Sequence, residues 1–293
     1  MIAPACHSQS SAGGNAAPEP APRAVQEAPK SRVDTITVHS AAMNKDIKSI
    51  VILPASYQAD NSARFASVYL LHGFDGTYKD WLAHKPDLTA QADELGIIII
   101  CPDGQDSWYF DSPVDKKMRF ETYIGSELVN AIDSLYRTRD DRRFRAITGL
   151  SMGGHGAFWV GVRHPDTFSG IGSMSGGLDI TLHPRSWKIP DRLGSFAANQ
   201  ARWKEHSAIG LVPKIGKGQF DIIIDCGISD IMIKDNEAMH KALVAAGIDH
   251  DYISRLGNHS WKYWCKAVEL QLDFFHNAFK RAEEANDKTP QAK

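Results

Sequence analysis

Cysteine is scarce, with only Cys6, Cys101, Cys226 and Cys265 in 293 residues. None stands in a CxxC pair or at ligand spacing from a histidine, so no structural zinc or iron–sulfur site is expected. No metal and no organic cofactor is expected. Cys101 and Cys226 close apolar runs, where a buried free thiol behaves as a small hydrophobe. Long apolar runs are missing too. The longest, GIIIIC at 96–101, is strand-sized and falls well short of the roughly 20 residues that span a bilayer. No transmembrane segment is expected. Nor does one sign of charge dominate: 33 Lys and Arg face 35 Asp and Glu, a formal net charge of -2. Nucleic-acid binders present a basic face, so no nucleic-acid partner is expected. The arginines of RTRDDRRFR at 137–145 are broken by acids and read as a solvated surface. No internal repeat is present.

The first 30 residues hold eight Ala and five Pro, with Ser and Gly between. Such a segment cannot bury a core. Residues 1–31 are therefore read as a disordered leader or linker, 32–281 as one domain and 282–293 as a polar tail. The opening MIAPAC has neither the basic nor the apolar region of a signal peptide. A small residue ahead of Cys6, followed by an Ala/Pro tether, resembles the remnant of a lipoprotein anchor. On that reading the start is truncated and the protein is periplasmic or lipid-anchored. On the plainer reading the segment is a flexible tail and the protein cytoplasmic.

From Asp34 onward strand-like and helix-like patterns alternate. DTITVHS and KSIVILP read as an antiparallel pair opening a sheet. ASVYLLH (66–72), GIIIIC, RFRAIT (143–148), SGIGSMS (169–175), QFDIIID (219–225) and DHDYISR (249–255) follow. Several are continuously apolar, as strands covered on both faces must be. ETYIGSELVNAIDSLY places Ile124, Leu128, Ile132 and Leu135 on one helical stripe. NEAMHKALVAAG carries Met239, Leu243 and Ala246, with Gly247 as its stop. A last amphipathic helix repeats apolar residues at 261, 264, 268, 272, 275 and 279. The alternation predicts an α/β fold, an open and mostly parallel sheet flanked by helices on both faces. The Trp-, Pro- and Arg-rich stretch 178–215 reads as an insertion beside the site.

AITGLSMGGHGAF at 146–158 puts a serine between a strand and a helix that His164-Pro165 would end. Gly149-Leu150-Ser151-Met152-Gly153 is the G-x-S-x-G pattern in the context that the pattern requires. A turn sharp enough to lift the serine hydroxyl above a sheet leaves no room for side chains two residues either side. The helix N-terminus behind it favours negative charge at the reacting centre. Ser151 is therefore the candidate nucleophile.

A nucleophilic serine needs a base, and the base an orienting acid, in the order Ser, acid, His. FDIIIDCGISD offers Asp225 and Asp230 at a strand's carboxyl end. Asp230, in the loop, is the candidate acid; Asp225 ends the strand and could instead satisfy loop amides. His259, in the loop GNHSW after a later strand, is the candidate base, since His240 falls mid-helix and His250 begins a strand. The oxyanion needs two backbone donors. Met152 N–H supplies one, and Phe74 N–H, in the loop of VYLLHGFDG, the other. The His72 side chain beside it reads as a packed core group.

Together LLHGFDG, CPDG, ETYIGSELVNAID, RAITGLSMGGHGAF, DCGISD and GNHSWKYW resemble the esterase D family of α/β-hydrolases, over about Asp34 to Phe279. That family includes S-formylglutathione hydrolases, feruloyl and acetyl-xylan esterases, and mycolyltransferases. The resemblance implies the α/β-hydrolase fold, Ser151, Asp230 and His259 as a triad, and Phe74 and Met152 as oxyanion donors. It also implies a stretch like PDGQDSWYFDSP beside the pocket, where Asp103, Trp108 and Tyr109 contact substrate or simply pack. Trp81 and Glu121 stand under the same alternative. LLHGFDG is most similar to the bacterial acyl and feruloyl esterase branch and departs from the S-formylglutathione hydrolase pattern.

A serine carboxylic-ester hydrolase is thus expected, acting on a small-molecule or carbohydrate-linked acetyl or feruloyl ester. An acyltransferase with a sugar hydroxyl as acceptor is the alternative, and a non-catalytic carbohydrate-binding protein a more distant one. Nothing in the residues indicates an oligomeric state.

Overall fold

The computed structural model describes residues 1–2 and 30–287. Cys6, residues 3–29 of the expected leader and residues 288–293 of the expected tail lie outside the described residues. Eight strands form one sheet: β1 (Arg32–Ser40), β2 (Lys45–Leu53), β3 (Ser67–Leu71), β4 (Ile98–Pro102), β5 (Arg145–Gly149), β6 (Gly170–Met174), β7 (Asp221–Gly227) and β8 (Asp251–Arg255). Their order is β1-β2-β4-β3-β5-β6-β7-β8. β1 pairs antiparallel with β2, Arg32 opposite Leu53, and β2 pairs antiparallel with β4. The remaining neighbours are parallel. This is the open, mostly parallel sheet that the alternation of strand-like and helix-like segments predicts, and the α/β-hydrolase fold that the resemblance implies.

The helices needed below are α1 (Leu88–Leu95), α2 (Leu128–Leu135), α3 (Met152–Arg163), α4 (Ile233–Ala246) and α5 (Trp261–Asp287). The strand period of two sorts side chains between two cores. Tyr69, Leu71, Ile98, Ile100 and Ile147 point into the core under α2 and α3. Val68, Leu70, Ile97, Ile99 and Ala146 point into the core under α1 and α5. Each fully buried side chain of this size contributes roughly 1.5–3 kcal/mol against exposure. Among the described residues, no helix is long and apolar enough to cross a membrane.

Five details differ from the sequence reading. The stripe of α2 runs through Ile124, Leu128, Ile132 and Tyr136, while Leu135 is exposed. The continuous helix expected there is broken by a π-turn at Tyr123–Glu127, where Gly125 lies so close to the His164 ring that no Cβ fits. Ala246 is exposed, because α4 buries Met239 and Leu243 and then ends at left-handed Gly247, φ 66°. The arginines of 137–145 are not simply solvated. Arg145 is buried against Asp133 at 2.7 Å, and Arg142 donates to the carbonyls of Pro165, Phe168 and Gln219. Finally, α5 continues past the expected tail boundary at 282, because KRAEEAND is built largely of good helix formers.

Between β6 and β7 the stretch 178–215 folds into short helical pieces, the longest Gln200–His206 and Ala208–Lys214. Leu178, Ile180, Leu193, Trp203 and Leu211 join the main core. The stretch packs onto the same body and reaches the carboxyl end of the sheet through Trp187.

Candidate active site

Ser151 stands between β5 and α3 with φ 53° and ψ −115°, a left-handed conformation that a non-glycine residue adopts only under constraint. The constraint is visible. Its N–H donates to the Met174 carbonyl of β6 at 2.9 Å, and its own carbonyl accepts from Gly177 N–H at 3.3 Å. A Cβ on Gly149 would stand 2.7 Å from Leu71, and one on Gly153 2.6 Å from the Leu71 and His72 carbonyls. β3 therefore passes too close for any side chain at either position, which is the steric reason for the glycine spacing.

The Ser151 hydroxyl donates to His259 Nε2 at 2.9 Å, and His259 Nδ1–H donates to Asp230 Oδ1 at 2.8 Å. Asp230 Oδ1 also accepts from the Met232 amide at 2.8 Å, and its carboxyl is buried. A hydroxyl, an imidazole and a carboxylate from the ends of β5, β8 and β7 are thus joined in one hydrogen-bonded relay. Trp264 meets the His259 ring edge-on, with centroids 4.8 Å apart, and holds its plane. Asp225 does not reach the relay. It accepts from the Tyr263 hydroxyl and pairs with Arg255 at 2.9 Å, so its partners are side chains rather than the loop amides expected. Burial pushes its carboxyl above the ordinary carboxylate range, against both of those partners.

The loop after β3 lies over the elbow. A Cβ on Gly73 would come within 3.5 Å of Ser151 Cβ, and Gly73 and Phe74 line the same cavity as Ser151 and His259. Met152 opens α3, so its amide faces the helix N-terminus. His72 is buried, as expected of a packed group. Its Nε2 accepts from Gly104 N–H at 2.7 Å, which puts the ring proton on Nδ1, 2.7 Å from the Gly73 carbonyl.

The cavity over Ser151 has a volume of about 340 Å³. Besides Ser151, His259 and the loop of Gly73 and Phe74, its walls include Asp75, Asp80, Trp187, Trp261 and Trp264. None of these five stood among the expected substrate contacts. The legible signal for Trp261 and Trp264 was their place in the first turn after the histidine loop. Trp187 and Asp75 both have positive φ, at 49° and 59°.

The five expected contacts, Trp81, Asp103, Trp108, Tyr109 and Glu121, do not line this cavity. Trp81 donates to the Leu71 carbonyl at 3.0 Å and packs edge-on against Trp261. Trp108 donates to the Trp187 carbonyl at 2.9 Å. Tyr109 is fully buried between Gly104 and Gly156, with its hydroxyl on the His72 carbonyl at 3.0 Å. Asp103 caps the Gln105 amide at 2.8 Å and lies 3.7 Å from His72 Nε2. Glu121 accepts from Trp159 at 2.8 Å and from Arg163 at 2.7 Å, on the outer side of α3. Consecutive left-handed residues at Trp108 and Tyr109, φ 57° and 59°, turn this segment inward. Among the described residues, no group of three or more His, Cys, Asp or Glu side chains is arranged to hold a metal.

The family described as "Putative esterase" matches residues 40–273. An acetyl esterase of Caldicellulosiruptor saccharolyticus is 28% identical over 255 residues, 80% of this chain and 94% of that protein. The S-formylglutathione hydrolase of Rattus norvegicus is 26% identical, over 73% of this chain and 85% of that protein. Among solved structures, a ferulic acid esterase superposes with a TM-score of 0.74 at 29% identity, covering 85% of this chain and 99% of that one.

Proposed function

We propose, for a chain that belongs to the Esterase family and is one of its serine ester hydrolases, that Ser151 is the nucleophile, His259 the base and Asp230 the acid that orients it. The observation that carries this is the relay itself, two consecutive hydrogen bonds of 2.9 and 2.8 Å that end on a buried carboxylate. Ser151 Oγ attacks the ester carbonyl while its proton passes to His259 Nε2. Asp230 keeps the imidazole in the Nδ1–H tautomer and stabilises the imidazolium. The amides of Phe74 and Met152 receive the developing oxyanion. The C–O bond to the alcohol then breaks, the alcohol leaves with the proton from His259, and an acyl-Ser151 ester remains. Water repeats the sequence and releases the acid.

The substrate class follows from the walls. Trp187 and Trp261 are half-buried indoles, and Asp75 and Asp80 are carboxylates within the same cavity. Flat aromatic faces and carboxylate acceptors suit a sugar ring with its hydroxyls, so the favoured substrate is a short acyl or feruloyl ester on a saccharide. The test is hydrolysis of acetyl, butyryl, octanoyl and feruloyl esters by the protein and by Ser151→Ala. Cleavage of at least one ester, with the variant at background, is the expected result. Equal activity in the variant would remove Ser151 from the chemistry. A sugar alcohol added to the same assay separates hydrolysis from acyl transfer, because transfer diverts product from acid to ester.

A further inference from the structure

A one-signed charged surface lies on the far side of the loop that carries His259. A cavity of about 520 Å³ opens there, at the carboxyl ends of β7 and β8. Its charged lining is Arg255, Lys262 and Lys266, with no carboxylate, and Ser229, Asn258 and Ser260 add polar groups. Asp225, beneath, balances Arg255. Lys262 and Lys266 stand one turn apart at the start of α5, whose first turn has no acidic residue. Bases at a helix N-terminus oppose the helix dipole and cost stability, which an anion seated beside them would recover. Glu269, the carboxylate one turn further on, is taken by Lys85 at 2.5 Å.

The segment 258–264 is a wall shared by two cavities. His259, Trp261 and Trp264 face Ser151, while Asn258, Ser260 and Lys262 face the basic cavity. His259 protonates the leaving alcohol in the proposed reaction, so the alcohol portion of a substrate departs on this side. We infer that the basic cavity is a subsite for an anionic saccharide, a uronate-bearing stretch of the chain that carries the ester. The inference rests on the proposed reading of Ser151, His259 and Asp230. Lys262 and Lys266 stand one turn apart on α5 and Arg255 ends β8, so the cations come from separate backbone positions, which suits carboxylates on successive sugars. The hydroxyl and amide groups of Ser229, Asn258 and Ser260 would meet the ring hydroxyls.

The experiment is calorimetric titration of the full chain with trigalacturonate, maltotriose and triglutamate, repeated with Lys262→Ser/Lys266→Ser. Both lysines are exposed, and circular dichroism checks that the variant folds. The expected result is that trigalacturonate binds at least tenfold tighter than the other two, and that the double variant loses at least tenfold. As substrates, acetylated trigalacturonate should show a lower KM than acetylated maltotriose in the wild type. Equal binding of the two saccharides, or binding unaffected by the double variant, would overturn the subsite. Triglutamate binding as tightly would overturn its assignment to a saccharide. Retained trigalacturonate binding without hydrolysis of any ester would instead strike the proposed catalytic roles.

Discussion

His155 is fully buried on α3, donating from Nε2 to the His206 carbonyl at 2.9 Å. Burial, against that hydrogen bond, lowers its pKa from 6.5 to about 4. The unfolded chain therefore takes up a proton near 6.5, and the folded protein only near 4. Between those values the unfolded state binds more protons, so stability is full above pH 6.5 and falls as pH drops toward 4, by roughly 3 kcal/mol. Thermal melts of His155→Phe should show a flatter acid limb over that window, with the slope from His206, also lowered by burial, remaining. An unchanged acid limb would contradict this. The two aspartates separate in the same residue-by-residue way. Asp230→Asn should keep the fold and cost about 10³–10⁴ in kcat, because the imidazole loses the partner that fixes its tautomer. Asp225→Asn should cost stability, about 1–3 kcal/mol for a buried group left unmatched to Arg255, and little in kcat. Comparable kcat losses in both variants would mean that the acid has been misassigned.

At the turn between β5 and α3, Gly153→Ala forces a methyl within 2.6 Å of the Leu71 carbonyl of β3 and the His72 carbonyl of the loop after it. Backbone cannot yield as a side-chain tip can, so the elbow should shift. Circular dichroism should show a folded but less stable protein, with kcat/KM down by about 10² or more. The segment 103–110 supports the loop after β3, which carries the proposed oxyanion donor Phe74, through the Tyr109 hydroxyl on the His72 carbonyl. Tyr109→Phe keeps the ring between Gly104 and Gly156 and removes only that bond. It should lower kcat by about tenfold with KM nearly unchanged, as expected for an element felt through the position of Phe74 N–H. A change confined to KM would point to direct substrate contact instead. The elements themselves were legible because their signals are local: alternation for β1 and β2, apolar runs for several of the later strands, a four-residue stripe for α2. Leu135 was misread because the stripe continues to Tyr136, which takes the buried position. The inward turn at Trp108 and Tyr109 carries no glycine to announce its positive φ, so the sequence leaves open whether those residues contact substrate or pack, and in the structure they pack.

The sheet order brings the ends of β3, β5, β7 and β8 to one edge, and the proposed catalytic residues come from their loops. Ser151, Asp230 and His259 were legible because each follows a recognisable strand in a fixed order. Asp75, Asp80 and Trp187 were not, since only the folded sheet brings loops so distant in sequence around one cavity. All eight strands and both cores lie within residues 32–287. We propose that this part is one cooperative unit, so a chain cut to residues 30–287 should unfold in a single transition and keep its esterase kcat/KM within about twofold. Two resolved transitions, or loss of activity on cutting, would show that the terminal segments belong to the working unit. The central claim, that acyl transfer passes through Ser151, is tested most directly by quenching the enzyme during turnover of a slow chromogenic ester and mapping the adduct by peptide mass spectrometry. The acyl mass should appear once, on the peptide spanning 146–163, and be absent from Ser151→Ala. An adduct on another residue, or turnover with no adduct and an active Ser151→Ala, would contradict it.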